Sequence, residues 1–183
     1  TGTCPSQMYG QMTDCDFSES GLTQEAKSLI DDAVWNLGGT NSNENIASDF
    51  YTYERGDQVH SGHLNTWTGT VGLIYPSDYA YATSGGVTTN RDLCLTTNLN
   101  NWNTNTDCPL NSWIFKYDIN QWTITPYSDI VNSVFFVHYL GDVGYTESGR
   151  DEGFVFPALY LKSNTKIISG TGLSSDPFVL SIE

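Results

Sequence analysis

Hydrophobic positions follow two different periods along this chain. Between Thr23 and Gly39 they fall at Ala26, Leu29, Ile30, Ala33, Val34 and Leu37, on one side of a predicted helix. Thr23 suits the N-cap, and Gly38-Gly39 is a stop signal. Asp31 and Asp32 then occupy the solvated side. Beyond Gly39 the period shortens. Runs with β character alternate with Gly, Asn and Ser turns: FYTYERG, VHSGHL, TWTGTVGLIY, SWIF, QWTITPYS, SVFFVHYL, DVGYTE, FVFPALYLK, TKIIS and PFVLSIE. One or two helices followed by many short antiparallel strands predict an α+β domain.

The same pattern sets the organisation. Residues 1–20 read as an irregular segment, 21–162 as the domain, and 163–183 as a C-terminal β-hairpin extension. Gly170, Gly172 and Asp176-Pro177 supply the turn residues of that hairpin. The Asn-rich stretch 82–111 reads as a long looped insert closed by cysteines. No internal repeat is present.

The segment VFFVHYLGDVGYTESGRDEGFVFPALYLKS, residues 134–163, has apolar ends and a mixed middle. Strand alternation puts Val134, Phe136, His138 and Leu140 on one face, and Phe135, Val137 and Tyr139 on the other. Gly141-Asp142 suits a tight turn into Val143 to Glu147. One face must cover the core. The other, with the following loop, presents His138 or Tyr139, then Asp142, Tyr145, Glu147, Arg150 and Asp151. Tyr and Arg supply contact area and directional bonding at recognition surfaces. An ordinary solvated hairpin is the plainer alternative.

Charge narrows the partners. Seven Lys and Arg stand against 21 Asp and Glu, a net charge of -14, which repels phosphate backbones and argues against nucleic acid. No apolar run reaches the roughly 20 residues of a membrane span. The four cysteines form two local pairs in sequence, Cys4 with Cys15 and Cys94 with Cys108; three connectivities exist and the local one is favoured. Close C-x-x-C spacing for a metal is lacking. Disulfides imply an oxidising compartment, hence an extracellular or cell-surface location. The lack of an N-x-[S/T] sequon leans toward a prokaryotic surface protein.

Several pieces, in order, resemble a family of bacterial surface proteins with a C-type-lectin-like fold. They are VWNLGG, YERGDQVHSG, WTGTVGLIYPSDYAYA, WTITPYS, VFFVHYLGDV, FPALYLKS and SGTGLSSDPF, spread over Val34 to Phe178. Relatives of this kind are extracellular parts of anchored or pilin-like proteins. The fold is shared with the formylglycine-generating enzyme and with proteins diversified by retroelements. In the latter, varied positions cluster just before the last core strand, where HYLGDVGYTESGRDEG lies. Adenine-directed mutagenesis of Asn-type codons would yield most of its residues; Glu147 and Glu152 need another template codon. The family's V-R-P stands here as Val155-Phe156-Pro157, which removes an Arg and adds Phe156 to the candidate surface. The resemblance therefore implies a binding module for an unknown protein or glycan on a cell or phage surface. Its contact set is Tyr127, Asp129, Ile130, His138, Leu140, Asp142, Tyr145, Glu147, Arg150, Asp151, Glu152, Phe154 and Phe156. A structural subunit that packs against neighbours in a pilus or other surface assembly is the alternative.

Other chemistry finds little footing. His60 and His63 make an incomplete metal site, and no metal is assigned. No D-x-[DN]-x-[DN]-G loop is present, nor the E-P-N/Q-P-D or W-N-D motifs of calcium-dependent lectins. No cofactor is expected; calcium, if bound, is structural. No cysteine follows Cys108, so the formylglycine-generating chemistry has no thiols where it needs them. A G-x-S-x-G elbow is missing, and Glu54 with Asp57 reads better as an exposed turn than as a glycosidase pair. An enzyme is not expected. Trp35, Trp67 and Trp122 read as core, and Trp102, in the Asn-rich loop, as an exposed second contact.

Overall fold

The structure is a computed structural model that describes residues 22–147, 153–173 and 175–183. The Cys4 and Cys15 pair and the candidate contacts Arg150, Asp151 and Glu152 lie outside these residues. Five α-helices, a 3₁₀ helix and nine strands follow one another among the described residues, in four small antiparallel sheets. The α+β class is as expected, but the chain is more helical than one or two helices.

The first helix is shorter than its apolar spacing suggests. Thr23 caps α1 (Gln24–Leu29) by accepting from the Ala26 N–H, and the helix ends at Ile30. The rest of the apolar run becomes β1 (Ala33–Asn36), paired with β2 (Thr66–Gly69). Its anchor is Trp35, which is buried, donates its indole N–H to the Gly69 carbonyl at 2.9 Å and packs on Tyr75 and Tyr160. The Trp35 ring also lies over β3 (Val71–Leu73), where a Cβ on Gly72 would come within 2.7 Å of it. A pairing partner more than 30 residues away thus overrides local helical spacing. Trp67, expected in the core, is instead exposed.

FYTYERG is not a strand. Residues Ala47–Glu54 form α2, whose Asp49 carboxylate accepts from the Ile46 N–H. Ala47, Phe50 and Glu54, at spacings of three and four, all point inward. Pro76 opens α3 (Pro76–Tyr81) and Asp78 accepts from the Tyr75 N–H, which sets Tyr79 and Ala80 inward.

The Asn-rich stretch is mostly helix rather than loop. Asn90 caps α4 (Arg91–Thr96) through its side chain, a 3₁₀ helix covers Leu99–Thr104, and α5 spans Asp107–Leu110. The Cys94–Cys108 disulfide joins α4 to α5, as expected. Closing a loop of this length stabilises by about 3 kcal/mol. Trp102 is fully buried beside it, with its indole N–H on the Cys94 carbonyl and its ring 5.2 Å from Tyr79. The expectation of an exposed second contact at Trp102 is therefore corrected.

These helices cover one face of the central sheet, β4 (Gln121–Pro126), β5 (Ser133–Val137) and β6 (Val143–Glu147). Phe135, Val137 and Val143 point into the core with Phe50, Tyr79, Leu99 and Trp102. From β4 the inward residues are polar: Gln121, Thr123 and Thr125. Gln121 is satisfied by the Lys116 N–H and the Ile114 carbonyl, and Thr123 by the Phe135 carbonyl. Trp122, Ile124, Val134 and Phe136 lie half-buried on the opposite face.

FPALYL is not a core strand. Its β7 (Pro157–Leu159) pairs with β3, and Leu159 and Leu161 are both exposed while Ala158 turns inward. The C-terminal hairpin forms as expected, from β8 (Thr165–Ser169) and β9 (Val179–Ile182), beside α1.

Candidate functional site

The β5–β6 hairpin is the element that positions the candidate residues. Val134 to Val137 is a run of β-branched and aromatic residues, and it pairs in unbroken register with β6 from Ser133↔Glu147 to Val137↔Val143. Residues 138–142 close the hairpin. His138 N–H donates to the Asp142 carbonyl and Gly141 N–H to the His138 carbonyl, both at 2.8 Å. The flanks are tied as well. Tyr139 N–H donates to Asn120 Oδ1 at 3.0 Å, and Asp118 N–H to the Tyr139 carbonyl at 3.3 Å.

From below, the loop is held by α3 and by the disulfide-braced α5. The buried Tyr79 hydroxyl donates to the Gly141 carbonyl at 2.7 Å. Burial, and then the nearby Asp142 charge, hold the Tyr79 phenol well above its ordinary range, so it stays a donor. Gly141 has φ +93°, and a Cβ there would lie 2.2 Å from Pro109 Cβ on α5. Only glycine fits both the backbone angle and the contact.

What this loop displays is aromatic and polar. Tyr139 is 41% exposed and Leu140 39%. His138 Nδ1 lies 3.2 Å from Asp142 Oδ1, which orients the ring. The His138 ring is 4.1 Å from Tyr139 and 6.0 Å from Phe136, which is 5.9 Å from Trp122. Phe154, exposed, bridges to Gln121 beside the same end of the sheet. Phe156 is half-buried ahead of β7.

The expected contact set does not form one surface. His138, Leu140, Asp142 and Phe154 gather at the loop end. Tyr127, Asp129, Ile130 and Glu147 lie toward the other end of β5–β6, about 13 Å away over the four-residue rise of β6, and Tyr145 stands midway along β6, opposite Phe135. Tyr145 also faces the other way. It shares the side of Phe135, packs 6.2 Å from that ring and stacks on Tyr127 at 3.8 Å, so it is part packing residue. Asn120, Tyr79 and Asn41 hold these clusters in place and carry no sequence motif; Gly141 beside Asp142 was the one local signal for the turn.

Glu54 is fully buried, and its carboxylate accepts from the Ser77 N–H at 2.9 Å, from the Ser77 hydroxyl and from Arg55. Burial pushes this carboxyl up to about 7, against the Ser77 hydrogen bonds and the Arg55 charge. Asp57 accepts from Asn65 Nδ2 at 2.6 Å. His60 and His63 lie 5.5 Å apart, and no group of three His, Cys, Asp or Glu suited to a metal occurs among the described residues.

No protein-family model matches the chain, and neither a curated protein nor a solved structure gives a match. No helix among the described residues is long and apolar enough to cross a membrane.

Proposed function

We propose that this chain is an extracellular ligand-binding module of adhesin or receptor type, displaying residues 138–142 on a C-type-lectin-like scaffold. The observation that carries this reading is the loop's construction. Its backbone is fixed by Asp142, Asn120, Tyr79 and Gly141, while the Tyr139, Leu140 and His138 side chains face outward. A rigid backbone with exposed aromatic and polar side chains lowers the ordering cost of binding. It also lets side chains vary without refolding, which suits diversification by a retroelement. The Cys94–Cys108 disulfide supports an oxidising location.

The test combines a screen with a variant. The chain is applied to cell-surface and glycan arrays, and any hit is re-measured with Tyr139→Ala/Leu140→Ala. Binding should weaken by roughly 2 kcal/mol or more, with the melting temperature moved by only a few degrees, as for exposed positions. Unchanged binding by that variant refutes the display reading. Sequences from closely related strains bear on diversification, which requires substitutions concentrated in 138–156 over a constant framework.

A second reading is favoured by one observation. The β8–β9 hairpin exposes Ile167, Ile168, Phe178 and Val179, with Ile168 64% exposed, and an isolated two-stranded ribbon is marginal in water. Packing of this hairpin against a neighbour would make the chain a structural subunit of a surface assembly. Concentration-dependent association abolished by Ile168→Asp would support it.

A further inference from the structure

The far end of the β5–β6 hairpin carries a second, differently built surface. Tyr127 and Tyr145 stack with centroids 3.8 Å apart and planes 22° from parallel, and Tyr145, 39% exposed, turns part of its ring to solvent. One residue holds this corner together. Asn41 accepts from the Tyr127 hydroxyl through its carbonyl and donates from Nδ2 to Asp129 Oδ2 at 3.0 Å. The parallel bridge Thr40↔Tyr127 and the bond from Ser128 N–H to the Thr40 carbonyl set that register. The Tyr127 phenol is raised by burial, by the Tyr145 hydroxyl and by the Asp129 charge, so ring stack and carboxylate share one neighbourhood.

Among the described residues, the charge here is one-signed. Asp129 is exposed, and its hydrogen-bond partner among the described residues is the neutral Asn41 amide. Glu147 is exposed two residues past Tyr145 on β6, hence on the same side. Among the described residues, neither takes part in an ion pair; Arg55 is spent on Glu54 and the Tyr51 ring, and Lys166 on Glu183. Ile130 and Val131 lie exposed beside Asp129.

An aromatic face attracts cations through its quadrupole, and adjacent carboxylates add charge-assisted hydrogen bonds. An anionic group would meet repulsion from both carboxylates. We propose that Tyr145, Tyr127, Asp129 and Glu147, flanked by Ile130 and Val131, recognise an Arg or Lys side chain next to an apolar residue on a protein partner. The charge complementarity selects this occupant. The inference stands apart from the loop reading, because it concerns the opposite end of the hairpin and a different ligand chemistry.

The probe is a blocked tripeptide, Leu-Arg-Leu, titrated into the ¹⁵N-labelled oxidised chain, with Leu-Gln-Leu and Leu-Glu-Leu as controls. Saturable shifts are expected at the Asn41 side-chain amide and at the Val131 and Tyr145 backbone amides. The Arg peptide should bind about tenfold tighter than the Gln peptide, and the preference should shrink as salt rises. Asp129→Asn and Glu147→Gln, exposed changes that keep side-chain size, should each reduce that preference severalfold. Tyr145→Leu should abolish it; because Tyr145 also packs, the two carboxylate variants decide the matter if this one unfolds. Equal binding of the Arg and Gln peptides, shifts confined to other regions, no shift with any peptide, or indifference to both carboxylate changes would each overturn the proposal.

Discussion

Gly141→Ala measures how firmly the display loop is held. Two costs arise at this position. The backbone sits at φ +93°, where an L side chain costs about 1–2 kcal/mol. The new methyl would also lie 2.2 Å from Pro109 Cβ and 2.7 Å from Pro109 Cγ, well inside contact distance. Overpacking of this kind costs about 1–3 kcal/mol. Together they predict a loss of roughly 2–5 kcal/mol. Pro109 cannot easily retreat, because it is buried and follows the disulfide-bonded Cys108. Gly144→Ala, three residues along, is the internal control. A Cβ there meets only the Phe136 ring at 3.4 Å, an ordinary contact, and Ala in a strand is as good as Gly or slightly better. Urea unfolding of both variants with the disulfide intact is the assay, with a lower midpoint and an unchanged slope expected for Gly141→Ala alone. If Gly141→Ala costs less than about 1 kcal/mol, or no more than Gly144→Ala, the loop is not clamped from below and the preorganisation argument fails.

Two other outcomes follow from the buried groups. Trp102→Ala should destabilise by about 3–5 kcal/mol, read by the same unfolding assay, since its ring fills the core beside Tyr79; a change within about 0.5 kcal/mol would restore it to an exposed contact. Glu54 has a folded pKa of about 7 against an unfolded value of 4.5, so the native state holds the extra proton between them. Its contribution is fully present below pH 4.5 and is lost as pH rises toward 7. Glu54→Gln should flatten that part of the stability–pH curve, and an unaltered slope between those limits would contradict the assignment.

Strand alternation in VFFV was enough to put Phe135 and Val137 on one face and Phe136 on the other, though not to say which face is inward. Gly141-Asp142 marked the reversal, but β5 ends at Val137 and the turn spans 138–141, so His138, Tyr139 and Leu140 belong to the loop and not to the alternating strand. The local cysteine pair 94–108 and the C-terminal hairpin were equally legible, because short-range closure and turn chemistry are written in neighbouring residues. Legibility stopped where a distant partner decided. Residues 33–36 have helical spacing, yet β2 and the Trp35 packing site make them a strand. FYTYE has β-favouring residues, yet burial of Phe50 and Glu54 against α3 makes it helix. The sequence around Trp102 is polar, yet that ring is buried against Tyr79 with its indole N–H on the Cys94 carbonyl. Propensities differ by only about 1 kcal/mol per residue, whereas burying one large aromatic side chain stabilises by about 1.5–3 kcal/mol, so tertiary contacts prevail. The contact set was legible as a list of residues but not as a geometry. Tyr145 lies only seven residues from His138 in sequence, yet it stands mid-strand on the Phe135 face while His138 lies by Phe136, and Asp129 is held by Asn41 from 88 residues away. Pairing register and chain crossing, which no local pattern encodes, divided one expected surface into two.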